Sequence, residues 1–432
     1  MRITATRVAV SLILGVGLQP VRAALYAVDQ NAPTSANGFF AAWYQDTHGR
    51  TLDLCLSRAK SSRVPGNNMC TLIPSSGVFD DTRPISFPGN FPDEAFWFTG
   101  ETLISDAASG IDLLYVSALE AAFNGELPAE GDQISFARIR IRVTVPSSGT
   151  YTVTHPYGVD VFQVDAPGTR AINMTRDIGI GAPGDFKGAL KGDVGPFLRS
   201  VNGPYQEANP DTGLVETFVG DPSLSEAVTG SPFGTNFVRI EGPNGLRLET
   251  QLFNVSGKLS GVELPTPLEV SRSTYSRGEN GAGQAQQDVF VLAPPPTATA
   301  SFTDAGGTPS AMKGTALGAW YGQSPRDPGG PGSVNVTADN SVVVPGSLAT
   351  TKSSALVDVV TISRAEYSLA SNTLTVEAAS SDRTGQPGLA VEGVGALAGG
   401  RLQQVVMPIP PARVTVVSAN GGRDTEEVRI LP

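Results

Sequence analysis

Residues 134–164 read ISFARIRIRVTVPSSGTYTVTHPYGVDVFQV. Ile134, Phe136, Ile139, Ile141, Val143 and Val145 are separated mostly by single polar residues, among them Arg138, Arg140 and Arg142. That is the period of a strand with one face buried. Pro146-Ser147-Ser148-Gly149 has the chemistry of a turn, with proline fixing φ and glycine accepting a positive one. Thr150 to Val153 is again β-branched and aromatic, so the stretch reads as a β-hairpin.

Working outward, the whole chain has this character. Its 432 residues exceed one core, so two to four domains are expected. With 49 glycines, 33 prolines and only 16% charged residues, the composition suits short strands joined by many turns rather than helical bundles. A hydrophobic content of 40% is enough for packed cores. The expected fold class is all-β, a multidomain β-sandwich of jelly-roll or immunoglobulin-like type with little helix.

Five segments follow from the pattern. Residues 1–23 carry Arg2 and Arg7 ahead of an apolar run from Val8 to Leu18, then Val21-Arg22-Ala23, with small residues placed for cleavage after Ala23. This is the pattern of a secretory signal peptide. No later run is long enough to span a bilayer, so an extracellular or periplasmic protein without a membrane span is expected. Residues 24–260 read as one large β-sandwich unit or two packed subdomains. Within it, Phe39–Tyr44 and Thr51–Leu56 flank a turn at Asp46-Thr47-His48-Gly49. The run Ile111 to Phe123, IDLLYVSALEAAF, fits both a helix and a period of two, and its strand neighbours favour strand. Asp177 to Gly195 reads as an ordered, glycine-rich surface loop. Residues 261–296 read as an extended connection, 297–350 as a small β module, and 351–432 as a sandwich of five strands.

Two stretches carry resemblances. VDVVTISRAEYSLASNTLTVEAASSD and PARVTVVSANGG resemble strand pairs of the immunoglobulin-like modules of bacterial exported and surface proteins, without the antibody-type Cys…Trp…Cys core. That resemblance implies a spacer, display or binding module. VTVPSSGTYTV is similar to the P-x-x-G-x-Y turn of extracellular β-sandwich domains, some of them carbohydrate-binding, but His155-Pro156-Tyr157-Gly158 stands where some of those domains carry ligand aspartates.

Charge and chemistry narrow the function. The net charge is −11, and losing the three arginines of the first 23 residues would make it −14. Such a surface repels nucleic acid and anionic lipid. Cys55 and Cys70 are the only cysteines, and in an oxidising compartment they are expected to form a disulfide across an exposed loop. His48 and His155 are the only histidines, each at a turn, and no nucleophile elbow, zinc-binding helix, Walker loop or dinucleotide fingerprint occurs. Carboxylates are the remaining route to catalysis: Asp80, Asp81, Asp93, Glu94, Glu101 and Glu120 lie near Phe91, Phe96, Trp97 and Phe98 in sequence, and a glycosidase needs two acids and an aromatic platform. Solvated turns are the simpler reading of these acids, because adjacent residues on a strand face opposite ways. Asp177, Asp185 and Asp193 recur every eight residues in a flexible, oxygen-rich loop, a speculative calcium site. Trp43, Tyr44 and Trp97, with Trp320 and Tyr321, are speculative sugar-stacking residues that core packing would also explain. The reading is an exported, acidic, non-enzymatic binding, adhesive or structural protein facing an unknown surface or glycan ligand. The alternative is a carbohydrate-binding or carboxylate-dependent glycan-active protein.

Overall fold

The computed structural model describes residues 25–74, 79–125, 127–278 and 281–432. The expected signal peptide, 1–23, lies outside the described residues. Strands dominate what is described, and the three short helices are 3-10 turns. The all-β multidomain class is therefore observed. Alternating side chains build three large hydrophobic cores in chain order, from Leu25 to Val255, from Leu268 to Leu356 and from Val360 to Val416.

The first core is enclosed by three sheets. The largest has eight strands and includes the antiparallel series Glu94–Asp106, Ile111–Phe123, Gln133–Val145 and Gly168–Ile178. The ambiguous 111–123 run is thus a strand, its inward residues Ile111, Leu113 and Tyr115 buried. A four-stranded sheet holds Gly149–His155, flanked by Gly158–Val164 and Val238–Glu241. A six-stranded sheet contains the hairpin Trp43–Asp46 and Thr51–Asp53, with Lys258–Leu259 and Val215–Phe218 beyond it.

The opening stretch is corrected in two ways. Gln133–Val145 and Gly149–His155 do not form a hairpin: the first belongs to the eight-stranded sheet and the second to the four-stranded one. Pro146–Ser148 carries the chain across the sandwich, so Ile141 and Val143 meet the same core as Tyr151 and Val153 from opposite sheets. Tyr151 secures the crossing by donating its hydroxyl to the Ser147 carbonyl at 2.9 Å. Gly149 is required there, since its φ is +138° and a Cβ would lie 2.5 Å from Pro243 Cγ. Secondly, Ile134 and Phe136 share the outer face with the arginines and form a small cluster with Ala122, apart from Ile139 to Val145. Both faces of the strand are buried at this end.

Other expectations shift similarly. The 177–195 passage is not a surface loop throughout: it begins as strand, and Phe186, Ala189 and Val194 are buried in the core. Residues 261–296 are not simply a connection, because Glu269–Gly278 and Gly281–Leu292 are paired strands of the second eight-stranded sheet, alongside Thr350–Asp358 and Ala319–Ser324. The third core lies between two four-stranded sheets, an immunoglobulin-like sandwich in general architecture.

Cys55 and Cys70 are joined across a separation of 15 residues. Their loop is packed down rather than exposed throughout: Ala59 and Met69 are buried, and Ser61 and Arg63 reach Asp221. Closing a loop of this length lowers the entropy of the unfolded chain by an amount worth about 3 kcal/mol. The double variant Cys55→Ala/Cys70→Ala is expected to lose about that much in urea denaturation, and an unchanged midpoint would show that the loop is held by its other contacts.

Candidate functional site

A cleft of about 800 Å³ lies between the six-stranded sheet and the Val343–Ser347 segment of the second unit. The hairpin at Asp46–Arg50 builds one wall. Asp46, 0% exposed, accepts backbone N–H groups from His48 and Arg50 on Oδ1 and from Phe197 on Oδ2, at 2.8–2.9 Å. Gly49, at φ +81°, closes the turn, and the His48 carbonyl accepts a hydrogen bond from Asn340 Nδ2 at 2.9 Å. Gln45 Nε2 likewise reaches the Pro265 carbonyl. The hairpin tip therefore ties the first unit to the second, and the cleft opens beside that tie.

Arg50 and Arg199 line this cleft. Among the described residues no carboxylate hydrogen-bonds either guanidinium, and Asp46, the acid whose charge acts on Arg199, is already committed to three backbone donors. Burial pushes Arg199 down to about 10, and Arg50 adds to this by repulsion against the weaker pull of Asp46. Burial also pushes His48 below its usual range, with Arg50 and Arg199 acting in the same direction and Asp46 opposing them. In the same lining, Lys258 Nζ is shared between Asp53 and Glu216 at 3.6 Å each, and among the described residues Glu216 Oε2 has no hydrogen-bond partner. Pro204, Val219, Leu259, Leu264, Val343 and Pro345 supply apolar wall.

The sequence-derived candidates fall elsewhere. Tyr44 and Trp97 are core residues, both 0% exposed and packed edge to face at 4.8 Å. Tyr44 donates to the Phe186 carbonyl and Trp97 Nε1 to that of Ala41. Trp43 is half-buried on the same face of its strand as Gln45, the cleft side. Trp320 is buried and donates to Pro294, whereas Tyr321 is partly exposed and donates to Asp288. The aspartates proposed for calcium do not converge: Asp177 receives a two-pronged pair from Arg138, Asp193 pairs with Arg176, and Asp185 accepts the Lys187 N–H. Among the described residues, no three acidic, histidine or cysteine side chains gather as metal ligands.

His155 is fully buried rather than at the surface. Its Nδ1 accepts the Tyr157 N–H at 3.2 Å and also contacts the Tyr115 hydroxyl, which leaves Nε2 to donate to Asp160 at 3.1 Å. This Tyr-His-Asp series has the order of a proton relay, but Tyr115 is 0% exposed, and burial holds its hydroxyl protonated far above the usual range. It joins the two sheets of the sandwich.

Of the acids considered for catalysis, Glu120 stands out. It is 2% exposed on the outer side of the large sheet, and Arg138 Nη1 holds both its oxygens at 2.8 and 3.1 Å. Burial pushes its carboxyl up to about 7, Arg138 pulling the other way and Glu94 and Asp177 adding to the rise. A general acid of that range is useful, but this one faces arginine rather than open space.

No protein-family profile matches the chain, and no curated protein matches it. Among solved structures it is similar to a chimeric titin Z1Z2 tandem (11% identity, 38% of this chain and 100% of that one, TM-score 0.18). It is also similar to a bacterial ice-binding adhesin (12%, 68% and 91%, TM-score 0.18) and to the BSP domain of a biofilm-associated protein (10%, 76% and 77%, TM-score 0.18). At those values the likenesses assign no function. Arg50 and Arg199 carried no signal in the sequence, because they are distant along the chain and neither sits in a motif.

The raised Glu120 carboxyl has a pH consequence. Between its ordinary value of 4.5 and about 7 the folded chain holds a proton that the unfolded chain releases, so its contribution to stability falls as pH rises through that window. Glu120→Gln should flatten this fall, gaining about 1–3 kcal/mol on the native chain between pH 5 and 8. Parallel pH profiles of thermal unfolding for the two proteins would refute the assignment.

Proposed function

We propose that this chain is an exported, non-enzymatic binding protein that works at the cell surface or in the extracellular space as an adhesive or structural component, with the cleft beside the Asp46–Arg50 hairpin as its ligand site. The observation that carries the reading is the pair of unanswered guanidiniums in that cleft, on a chain whose net charge is −11. Both are partly buried, and cations withdrawn from water are normally paired. Two that meet no carboxylate hydrogen bond among the described residues, along the wall of an opening large enough for a small molecule, point to a partner that arrives from outside.

The export segment at 1–23, the disulfide and the three sandwich-like cores suit work outside the cytoplasm. The glycan-active alternative rests on Glu120 and Glu94 and ranks below, because Glu120 is enclosed and already held by Arg138.

The test is a thermal-shift screen of the exported chain against soluble glycans, peptides and small organic acids, repeated with Val344→Trp to fill the cleft. Saturable binding without turnover, weakened at least tenfold by the tryptophan, is expected. Turnover of a polysaccharide that disappears when Asp93 or Glu94 is neutralised would overturn the proposal.

A further inference from the structure

We infer that the ligand of this cleft is a monocarboxylate carried on an apolar body. The inference rests on the reading that the cleft is the binding site, and it adds the chemical class. Arg50, Arg199 and Lys258 line the cleft together with two acids, Asp53 and Glu216. These five side chains sum to a single positive charge. One negative charge balances it, whereas a phosphate or sulfate ester chain would overshoot.

The acids of the lining sharpen the choice. Lys258 is outnumbered by its partners Asp53 and Glu216, and among the described residues Glu216 Oε2 has no donor. A second anionic group on the ligand would meet these acids. Val219, Leu259, Leu264 and Val343 add apolar wall to the same cleft. A volume of about 800 Å³ is in the range of sites that enclose most of a small organic ligand. Planar carboxylates suit guanidinium forks, which present parallel N–H donors. A fatty acid and the C-terminus of an apolar peptide share this chemistry.

Isothermal titration of the full exported chain at low salt separates the cases. The probes are decanoate, decanamide, an N-acetylated Leu-Val dipeptide acid, its C-terminal amide, and inorganic phosphate. Saturable binding of at least one acid, with its amide at least tenfold weaker and phosphate weaker still, is expected. Decanoate and the dipeptide acid distinguish lipid from peptide. Arg50→Met and Arg199→Met should each weaken the acid at least tenfold while the thermal midpoint stays level or rises, because a like-charge contact is removed.

Equal affinity for acid and amide, or an acid unaffected by both arginine variants, overturns the ligand class. If Val344→Trp abolishes binding in that event, the cleft remains the site and only its chemistry was misread. If the acid binds and Val344→Trp leaves it untouched, the cleft reading itself fails.

Discussion

The Asp46 carboxylate is the constraint on which this architecture turns. A charged group with no solvent exposure is costly to bury unless hydrogen bonds replace its water. Here three backbone N–H groups do so, two from its own hairpin and one from Phe197, far along the chain. The first two set the hairpin tip that engages Asn340 of the second unit, and the third draws in the segment that carries Arg199. Most of the acid's acceptor capacity is thereby spent on backbone rather than on the arginines it brings together. Substituting asparagine would keep the shape of the group but remove its charge and replace one acceptor with a donor, leaving one of the three N–H groups unanswered.

A different device joins the second unit to the third. Asp382, 0% exposed, receives Arg277 in two prongs at 2.8 and 2.9 Å, together with the Tyr275 hydroxyl and the Gly385 N–H. Burial raises its carboxyl, yet these donors together pull it below the usual range. Arg277 and Tyr275 come from the second unit, and Asn420, which also reaches Asp382, from the third. Such a network demands one geometry, since moving either unit would strand a buried charge. The first junction is made by fewer, mostly neutral hydrogen bonds and leaves an opening. The cleft occurs where the join is sparse.

How much of this the sequence disclosed follows from which side chains carry each element. Strands with one apolar face, such as Val360–Ser368 and Thr373–Ser380, were legible because water and core impose a period of two, whereas Ile111–Phe123, buried on both faces over its second half, was told from a helix only by its neighbours. The crossing at Pro146–Gly149 was not, because a turn sequence does not say whether the strands it joins pair with each other or face each other across a core. Glu269–Gly278 was missed for another reason: it buries Ser273 and Thr274, with Ser273 bonded to Ser354, so polarity there marks pairing rather than solvent. Trp97 and Tyr44 looked like sugar platforms only because aromatic residues serve cores and ligands alike. The cleft was invisible, since Arg50 and Arg199 acquire meaning only through the fold.

The arginine pair also shows where local preferences conflict with the rest of the chain. Most arginines with nearby acids are paired, as in Arg138 with Asp177 and Arg239 with Glu249. Arg50 and Arg199 are held together instead, and repulsion between them contributes to the depressed basicity of Arg199. Holding like charges within reach of each other gives up stability at that point. Uncompensated charge of this kind is retained most readily where a missing partner completes it. An anion entering the cleft would remove the repulsion and be bound more strongly for doing so, and the same contact would bridge the sparse junction between the first two units.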